Sequence, residues 1–236
     1  MKIRSFGNTD IGRRRSQNED AFWNAPEHHL FAVADGLGGL AAGEQASQLA
    51  ISILKSHHGI ASKNKSVIDF EKIFAEANHA IQKLGEQIDQ ERGAGTTLTV
   101  ARLAEGEVWL TFIGDSPAFL FTDDGWRKLS IDHTAAEDFR NKHPNKPVPP
   151  AFEHLLTRCL GQPRDATPGF SHTSVNPGDC LFLCSDGVTL EISPEEIRNW
   201  AFEEKDPEKL VQKVLTLARR RGGADNATAI AVYIDE

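Results

Sequence analysis

The sequence predicts an α+β fold: an antiparallel β-sandwich flanked by helices on both faces, in α-β-β-α layers. Three observations carry that reading. Short apolar runs rich in Val, Ile, Phe and Leu recur along the chain, two long segments have helical periodicity, and the helical segments stand apart from a central block of strands. Helices and strands that cluster separately argue for antiparallel sheets layered against helices.

The first apolar run, 30–34, ends at Asp35. Segment 41–56 sets Ala46, Leu49, Ile53 and Leu54 on one helical face. Segment 67–91 repeats Ile73, Phe74, Ala77, Ile81, Leu84 and Ile88 at spacings of three and four. Runs 98–103, 108–113 and 118–121 follow, and the turn signals Glu105-Gly106 and Asp123-Asp124-Gly125 make this stretch an antiparallel meander. Segment 137–152 carries Pro144, Pro147, Pro149 and Pro150 and little apolar content. It reads as a surface flap or loop, not a linker, because acidic candidate residues lie on both sides of it. Run 180–184 is apolar almost throughout, which implies burial on both faces. Ser193-Pro194-Glu195-Glu196 opens a helix with a capping box and proline at its first position. Asp206-Pro207 opens another, with Leu210, Val211, Val214, Leu217 and Ala218 on its apolar side. Run 229–234 is the last strand. With no internal repeat and no low-complexity linker, 1–236 is expected to form a single domain.

The hydrophobic fraction of 39% with 25% charged residues is ordinary for a globular protein. A net charge of -8 argues against nucleic acid as a partner, which wants a clustered basic face, and Arg13-Arg14-Arg15 is too short to supply one. No apolar stretch approaches the roughly 18 residues of a membrane span. The opening Met1-Lys2-Ile3-Arg4 lacks the apolar core of a secretory signal. Three cysteines do not make a disulfide framework, and Cys180 and Cys184, on one face of a strand, read as buried thiols. A cytoplasmic location is expected; the sequence is silent on oligomeric state.

Acidic residues recur at one kind of place. Glu19-Asp20, Asp35-Gly36, Asp115-Ser116, Asp186-Gly187 and Asp225-Asn226 are each read as the end of an apolar run, usually before glycine or a small polar residue. Aspartate is a poor strand residue and costly to bury unpaired. Its repetition makes sense if the strand ends converge on something positive. Only oxygen donors recur, with no paired Cys or His, and that donor set suits Mg²⁺ or Mn²⁺ rather than zinc. Gly36-Leu37-Gly38-Gly39-Leu40-Ala41 formally fits G-x-G-x-x-A, a dinucleotide fingerprint. Asp35 stands where a pyrophosphate would approach, and no acidic residue follows at about 20 positions to hold a ribose. The glycines instead let the backbone turn so that the Asp35 carboxylate and the Gly36 carbonyl face one ion.

The order of the motifs is more specific than any one of them. Arg15-Ser16-Gln17-Asn18-Glu19-Asp20 is followed by Ala34-Asp35-Gly36-Leu37-Gly38-Gly39, Gly43-Glu44-Gln45-Ala46-Ser47 and Gly95-Thr96-Thr97. Then come Ile113-Gly114-Asp115-Ser116, Asp132-His133-Thr134, Leu156-Thr157-Arg158-Cys159-Leu160-Gly161, Cys184-Ser185-Asp186-Gly187 and Gly222-Gly223-Ala224-Asp225-Asn226-Ala227-Thr228. This series resembles the type-2C, metal-dependent serine/threonine protein phosphatases in their bacterial single-domain form, over nearly the whole chain. The resemblance implies that Asp35 bridges two metal ions, that the Gly36 carbonyl binds one, and that Asp186 and Asp225 complete the shell of the other. It implies water-mediated or outer-shell roles for Glu19 and Asp20, and a third, weaker ion at Asp115 with Asp186. Arg15 occupies the position of the arginine that grips substrate phosphate, so the catalytic set is Arg15, Asp35 and Asp186. The expected partners are phosphorylated proteins, the products of a serine/threonine kinase.

The chemistry is coherent with that set. Phosphate monoesters hydrolyse extremely slowly without a catalyst. Two divalent ions lower the pKa of a shared water towards about 7, giving a metal-bridging hydroxide, and stabilise charge on the phosphoryl oxygens. An arginine fork matches phosphate oxygens in pairs. Two departures from the family pattern stand out. Leu37 lies where many eukaryotic members have a histidine proposed as general acid, so water must protonate the leaving alkoxide. Pro117 follows Ser116 where arginine is frequent. His28, His29, His57, His58, His79, His143, His154 and His172 match no metal spacing and are expected at the surface, while His133 is expected to be structural, near the flap. Ser116 and Ser185 lack a partnered base. The alternative function is a regulatory metal-binding domain of the same fold; the presence of Asp35, Asp186 and Asp225 speaks against it.

Overall fold

The computed structural model describes residues 1–37, 40, 42–64, 68–163 and 166–235. Gly38, Gly39 and Ala41 of the glycine-rich turn, and Val67 at the predicted start of a helix, lie outside the described residues. Two five-stranded sheets, antiparallel in every pairing, form the centre. The first runs β1 (Lys2–Asp10), β10 (Ala227–Asp235), β9 (Cys180–Cys184), β6 (Ala118–Thr122), β7 (Gly125–Lys128) in spatial order. The second runs β2 (Asp20–Ala25), β3 (Leu30–Asp35), β4 (Leu98–Ala104), β5 (Glu107–Ile113), β8 (Gly169–Ser174).

Alternation along the strands builds three apolar layers. Phe31 and Val33 of β3, Leu181 and Leu183 of β9, and Ile230, Val232 and Ile234 of β10 fill the space between the sheets. The intervening residues point outward. Leu30, Ala32 and Ala34 meet Ala46, Ala50, Leu54, Ile73, Phe74 and Ile81 of α1 (Gly43–Asn64) and α2 (Phe70–Ile88). Cys180, Phe182 and Cys184 meet Val188 of α4 (Asp186–Thr189), Ile197 and Ala201 of α5 (Pro194–Glu204), and Leu210, Val211 and Val214 of α6 (Pro207–Arg221). Strands buried on both sides carry apolar residues at every position, which is why they read as continuous runs. The predicted α-β-β-α architecture is the observed one.

Local signals act as expected. Glu105 and Gly106 both have positive φ, 54° and 78°, as a two-residue type I′ hairpin turn requires. Ser193 and Glu196 form the full capping box, and the Asp206 side chain accepts from the Glu208 and Lys209 amides. Segment 137–152 differs from the loop expected of it. It opens inside a helix, α3 (Ala135–Lys142), whose N-terminus is capped by Thr134. Arg140 makes two bonds to the Glu153 carboxylate, at 2.9 and 2.8 Å, and Phe139 packs edge-on against Phe152 at 5.8 Å, so both ends of the segment are clamped together. His58 also departs from expectation: it is buried, with its ring 4.1 Å from that of His28 and 5.6 Å from that of Trp23. Packing on a neighbouring ring outweighs the polar edge of an imidazole there.

Candidate active site

Antiparallel pairing brings the acidic positions to one rim of the sandwich. β3 and β5 each pair with β4, so they run in the same direction and both end at that rim, at Asp35 and just before Asp115. β2 starts there, with Asp20 directly opposite Asp35. β9 ends there before Asp186, and β10 starts there after Asp225. Two sheets and five strands thus supply one cluster. Asp186 opens α4, immediately after the N-cap residue Ser185.

The rim is held by a dense set of small polar contacts. The Asp20 Oδ2 accepts from Ser185 Oγ at 2.7 Å and from Thr228 Oγ1 at 2.6 Å. Asn226 ties three segments: its Oδ1 accepts from the Glu19 amide at 2.8 Å and its Nδ2 donates to the Ile11 and Gln17 carbonyls. The Asp35 amide donates to Thr97 Oγ1, which bonds Ser116 Oγ at 2.7 Å. Ser47 Oγ donates to the Glu19 carbonyl at 2.6 Å. Glycine is obligatory at two close approaches. A Cβ on Gly36 would lie 2.3 Å from the Gly43 carbonyl oxygen, and one on Gly187 would lie 2.0 Å from that of Asn226.

The electrostatics are those of negative charge concentrated with little water. Burial, then repulsion from Asp20, Asp186, Asp115 and Asp225, holds Asp35 well above the usual carboxylate range. Burial raises Asp20 to about 6, against the pull of its two hydroxyl donors. Burial and Asp186 push Asp115 up to about 7. Asp186 is raised by burial and Asp225, and it is drawn back by nearby His154 and by a hydrogen bond with Asp35. Arg15 reaches over the cluster, with Nη2 2.6 Å from Asp225 Oδ2 and Nη1 3.8 Å from Glu19 Oε2.

These residues fit divalent cations. Asp20 is buried, yet its Oδ1 has no hydrogen-bond partner. Asp35 and Asp186 are both raised by burial and by neighbouring carboxylates, so the cluster lacks compensating positive charge. The donors are all oxygen, the choice of hard ions. Among the described residues no three His, Cys, Asp or Glu side chains close into a finished cage, and Arg15 occupies Asp225.

The structure brings Glu19, Asp20, Asp35, Gly36, Asp115, Asp186, Asp225 and Arg15 to this one rim. Several contributors carried weak sequence signals. Ser185, Asn226 and Thr228 lie inside the quoted motifs but had no role assigned. Gly43 and Ser47 support the site from α1, where a Cβ on Gly43 would lie 2.5 Å from Glu19 Oε1. His154 is exposed, as expected, and it lines an open hollow together with Asp186, whose charge it influences. His133 takes the structural role expected: its Nδ1 accepts from the Gly114 amide at 3.2 Å, and burial lowers it to about 4, so it stays neutral. Leu37 bonds the Gly95 carbonyl through its amide. Pro117 accepts from the Cys184 amide through its carbonyl and lines a hollow beside Asp115. A larger concavity, about 990 Å³ among Trp109, Phe170, Arg102 and Phe70, contains none of the clustered carboxylates.

A sandwich of two antiparallel sheets with helices outside and carboxylates gathered at one rim defines a metal-dependent phosphatase class, and the chain belongs to the Protein phosphatase 2C family, whose model it matches over residues 11–227. It is 29% identical to Protein phosphatase PhpP of Streptococcus pneumoniae over 97% of this chain and 96% of that one. It is 30% identical to the serine/threonine phosphatase stp of Listeria innocua, covering 95% and 93% of the two chains. Among solved structures, the catalytic domain of serine threonine protein phosphatase PstP, in complex with two manganese ions, superposes with a TM-score of 0.82 at 29% identity, covering 99% of each chain.

Proposed function

We infer that this chain is a metal-dependent protein phosphatase that hydrolyses phosphoserine and phosphothreonine in proteins. The observation that carries this reading is the rim itself: buried carboxylates from both sheets, one with an unpartnered oxygen, beneath a single arginine. Asp35, the Gly36 carbonyl, Asp186 and Asp225 would hold two Mg²⁺ or Mn²⁺ ions, with Glu19 and Asp20 behind them. Asp115 with Asp186 would hold a third, weaker ion, in keeping with the repulsion from Asp186 that raises Asp115. When bound, the ions activate water and neutralise the phosphoryl group.

The protein's own groups do the rest. Asp35 and Asp186, both raised by burial, would be ionised when holding cations, so loading would release protons. Arg15 exchanges Asp225 for substrate oxygens and orients the phosphoryl group. The hydroxyls of Ser185 and Thr228 keep Asp20 fixed while its neighbours change charge. Leu37 offers no proton, so the leaving alkoxide takes one from water.

The substrates would be the products of a serine/threonine kinase, in the cytoplasm. The three cysteines are buried free thiols, as a reducing compartment allows. No helix among the described residues is long and apolar enough to cross a membrane. The test is phosphate release from a phosphothreonine peptide with Mn²⁺ against chelator, wild type beside Asp186→Asn. The expected result is metal-dependent release reduced more than about 100-fold in the variant, with the fold intact. Release that survives chelation, or a variant that keeps more than about a tenth of the rate, would overturn the assignment. Mn²⁺ binding without release would favour the regulatory reading.

A further inference from the structure

Asp115 and Asp186 form one wall of a hollow of about 290 Å³ that continues away from the carboxylate rim. Its other walls come from separate elements: Pro117 and Phe119 before and within β6, Trp126 and Lys128 of β7, Leu190 after α4, and Glu153 and His154 beyond α3. Three of the charged and polar groups around it are engaged within the chain. Lys128 pairs with Asp132, Glu153 is held by Arg140, and Trp126 Nε1 donates to Glu195 at 2.9 Å. Alongside the carboxylates and His154, two large apolar side chains stay open in it. Trp126 is 40% exposed and Leu190 45%, and both apolar side chains open onto the same hollow. The Trp126 ring is fixed by its bond to Glu195 and by edge contact with Phe119 at 5.9 Å, so it is a preformed surface.

We propose that this hollow is the subsite for a large apolar side chain next to the phosphorylated residue of the substrate, with Trp126 and Leu190 as its specificity determinants. Its continuity with Asp115 and Asp186 limits the occupant to a residue close in sequence to the phosphoresidue. The volume, at the small end of the range for small-molecule sites, has room for one side chain. His154 and Glu153 close the far side, and the Arg140–Glu153 and Phe139–Phe152 contacts keep that edge in place. Trp126 and Leu190 touch no reacting atom; they act on which peptide is held, and so on KM.

This rests on the phosphatase reading, and the experiment separates the two. Mn²⁺-loaded wild type, Trp126→Ala and Leu190→Ala are assayed on phosphothreonine peptides bearing Leu, Arg, Ala or Glu at each of the two positions on either side. p-Nitrophenyl phosphate, which has no flanking residue, serves as control. The expected result is a preference in kcat/KM for Leu over Ala of about tenfold at one position, the size of a filled apolar pocket. Both variants should lose it through KM and keep the control rate. A flat profile, a preference for Arg, or a Leu preference that survives in both variants would overturn the subsite while leaving the phosphatase intact. Absence of control hydrolysis in wild type would overturn both.

Discussion

In the proposed function Arg15 serves two states with one side chain. Without substrate its guanidinium closes on Asp225 at 2.6 Å, and at 36% exposure this pair contributes little to stability. It keeps a fork poised at the rim. Arg15→Ala should raise KM for a phosphopeptide about tenfold and lower kcat less than about threefold, because the lost contact is made to the bound ground state as well. An unchanged KM in steady-state kinetics would remove Arg15 from the phosphate site. His133 is the opposite case, a buried neutral ring whose bond to the Gly114 amide sets the turn that presents Asp115.

At the scale of elements, the site depends on where strands stop. β9 passes into α4 within two residues, and the tight fit of Gly187 under Asn226 fixes Asp186 relative to Asp225. A methyl group there would meet the Asn226 carbonyl, with no flexible side chain able to yield. Gly187→Ala should destabilise the fold by roughly 2–3 kcal/mol, the cost of forcing atoms into a packed space. It should also weaken Mn²⁺ binding. Urea unfolding and calorimetric titration check both effects, and a variant with wild-type midpoint and affinity would contradict the packing account. The edge strands tell a related story. β1, β7, β2 and β8 are the outermost strands of their sheets, and they are the four that the apolar runs did not reveal. An edge strand is covered less completely, so it carries mixed residues such as Gly169-Phe170-Ser171-His172.

For the whole molecule, the cluster sets a conflict between folding and charge. Burial and mutual repulsion keep protons on Asp20, near 6, on Asp115, near 7, and on Asp35 in the metal-free chain. Unfolded aspartates titrate near 4 and are ionised above pH 6.5. The folded state therefore binds more protons, and stability must fall as pH rises from 6.5 to 8. His133, neutral in the fold, is about half protonated near pH 6.5 when unfolded, so this one group opposes the trend, against three raised aspartates. Melting in chelator should show a lower Tm at pH 8 than at pH 6.5. Mn²⁺ at about a hundred times its Kd adds about 2.7 kcal/mol, a rise of roughly 5–10 °C for a chain of this size, and the rise should be larger at pH 8. A Tm that climbs with pH in chelator would show that the carboxylates are not mutually buried.

The sequence by itself determined the layers, the central strands and the acidic positions. Central strands are buried on both faces, so the need to bury them is written at every residue, and an aspartate at the end of such a strand is visible because it costs so much there. The order of motifs added the family. Only the tertiary structure decided which groups support the carboxylates and which line the hollow beside them. Ser185, Thr228 and Asn226 act by reaching across more than 40 to 200 positions of chain, and such contacts leave no local period. The same holds for His154, for the clamp from Arg140 to Glu153, and for Trp126 beside Leu190. Each looks like an ordinary surface residue until packing sets it against a partner from another element.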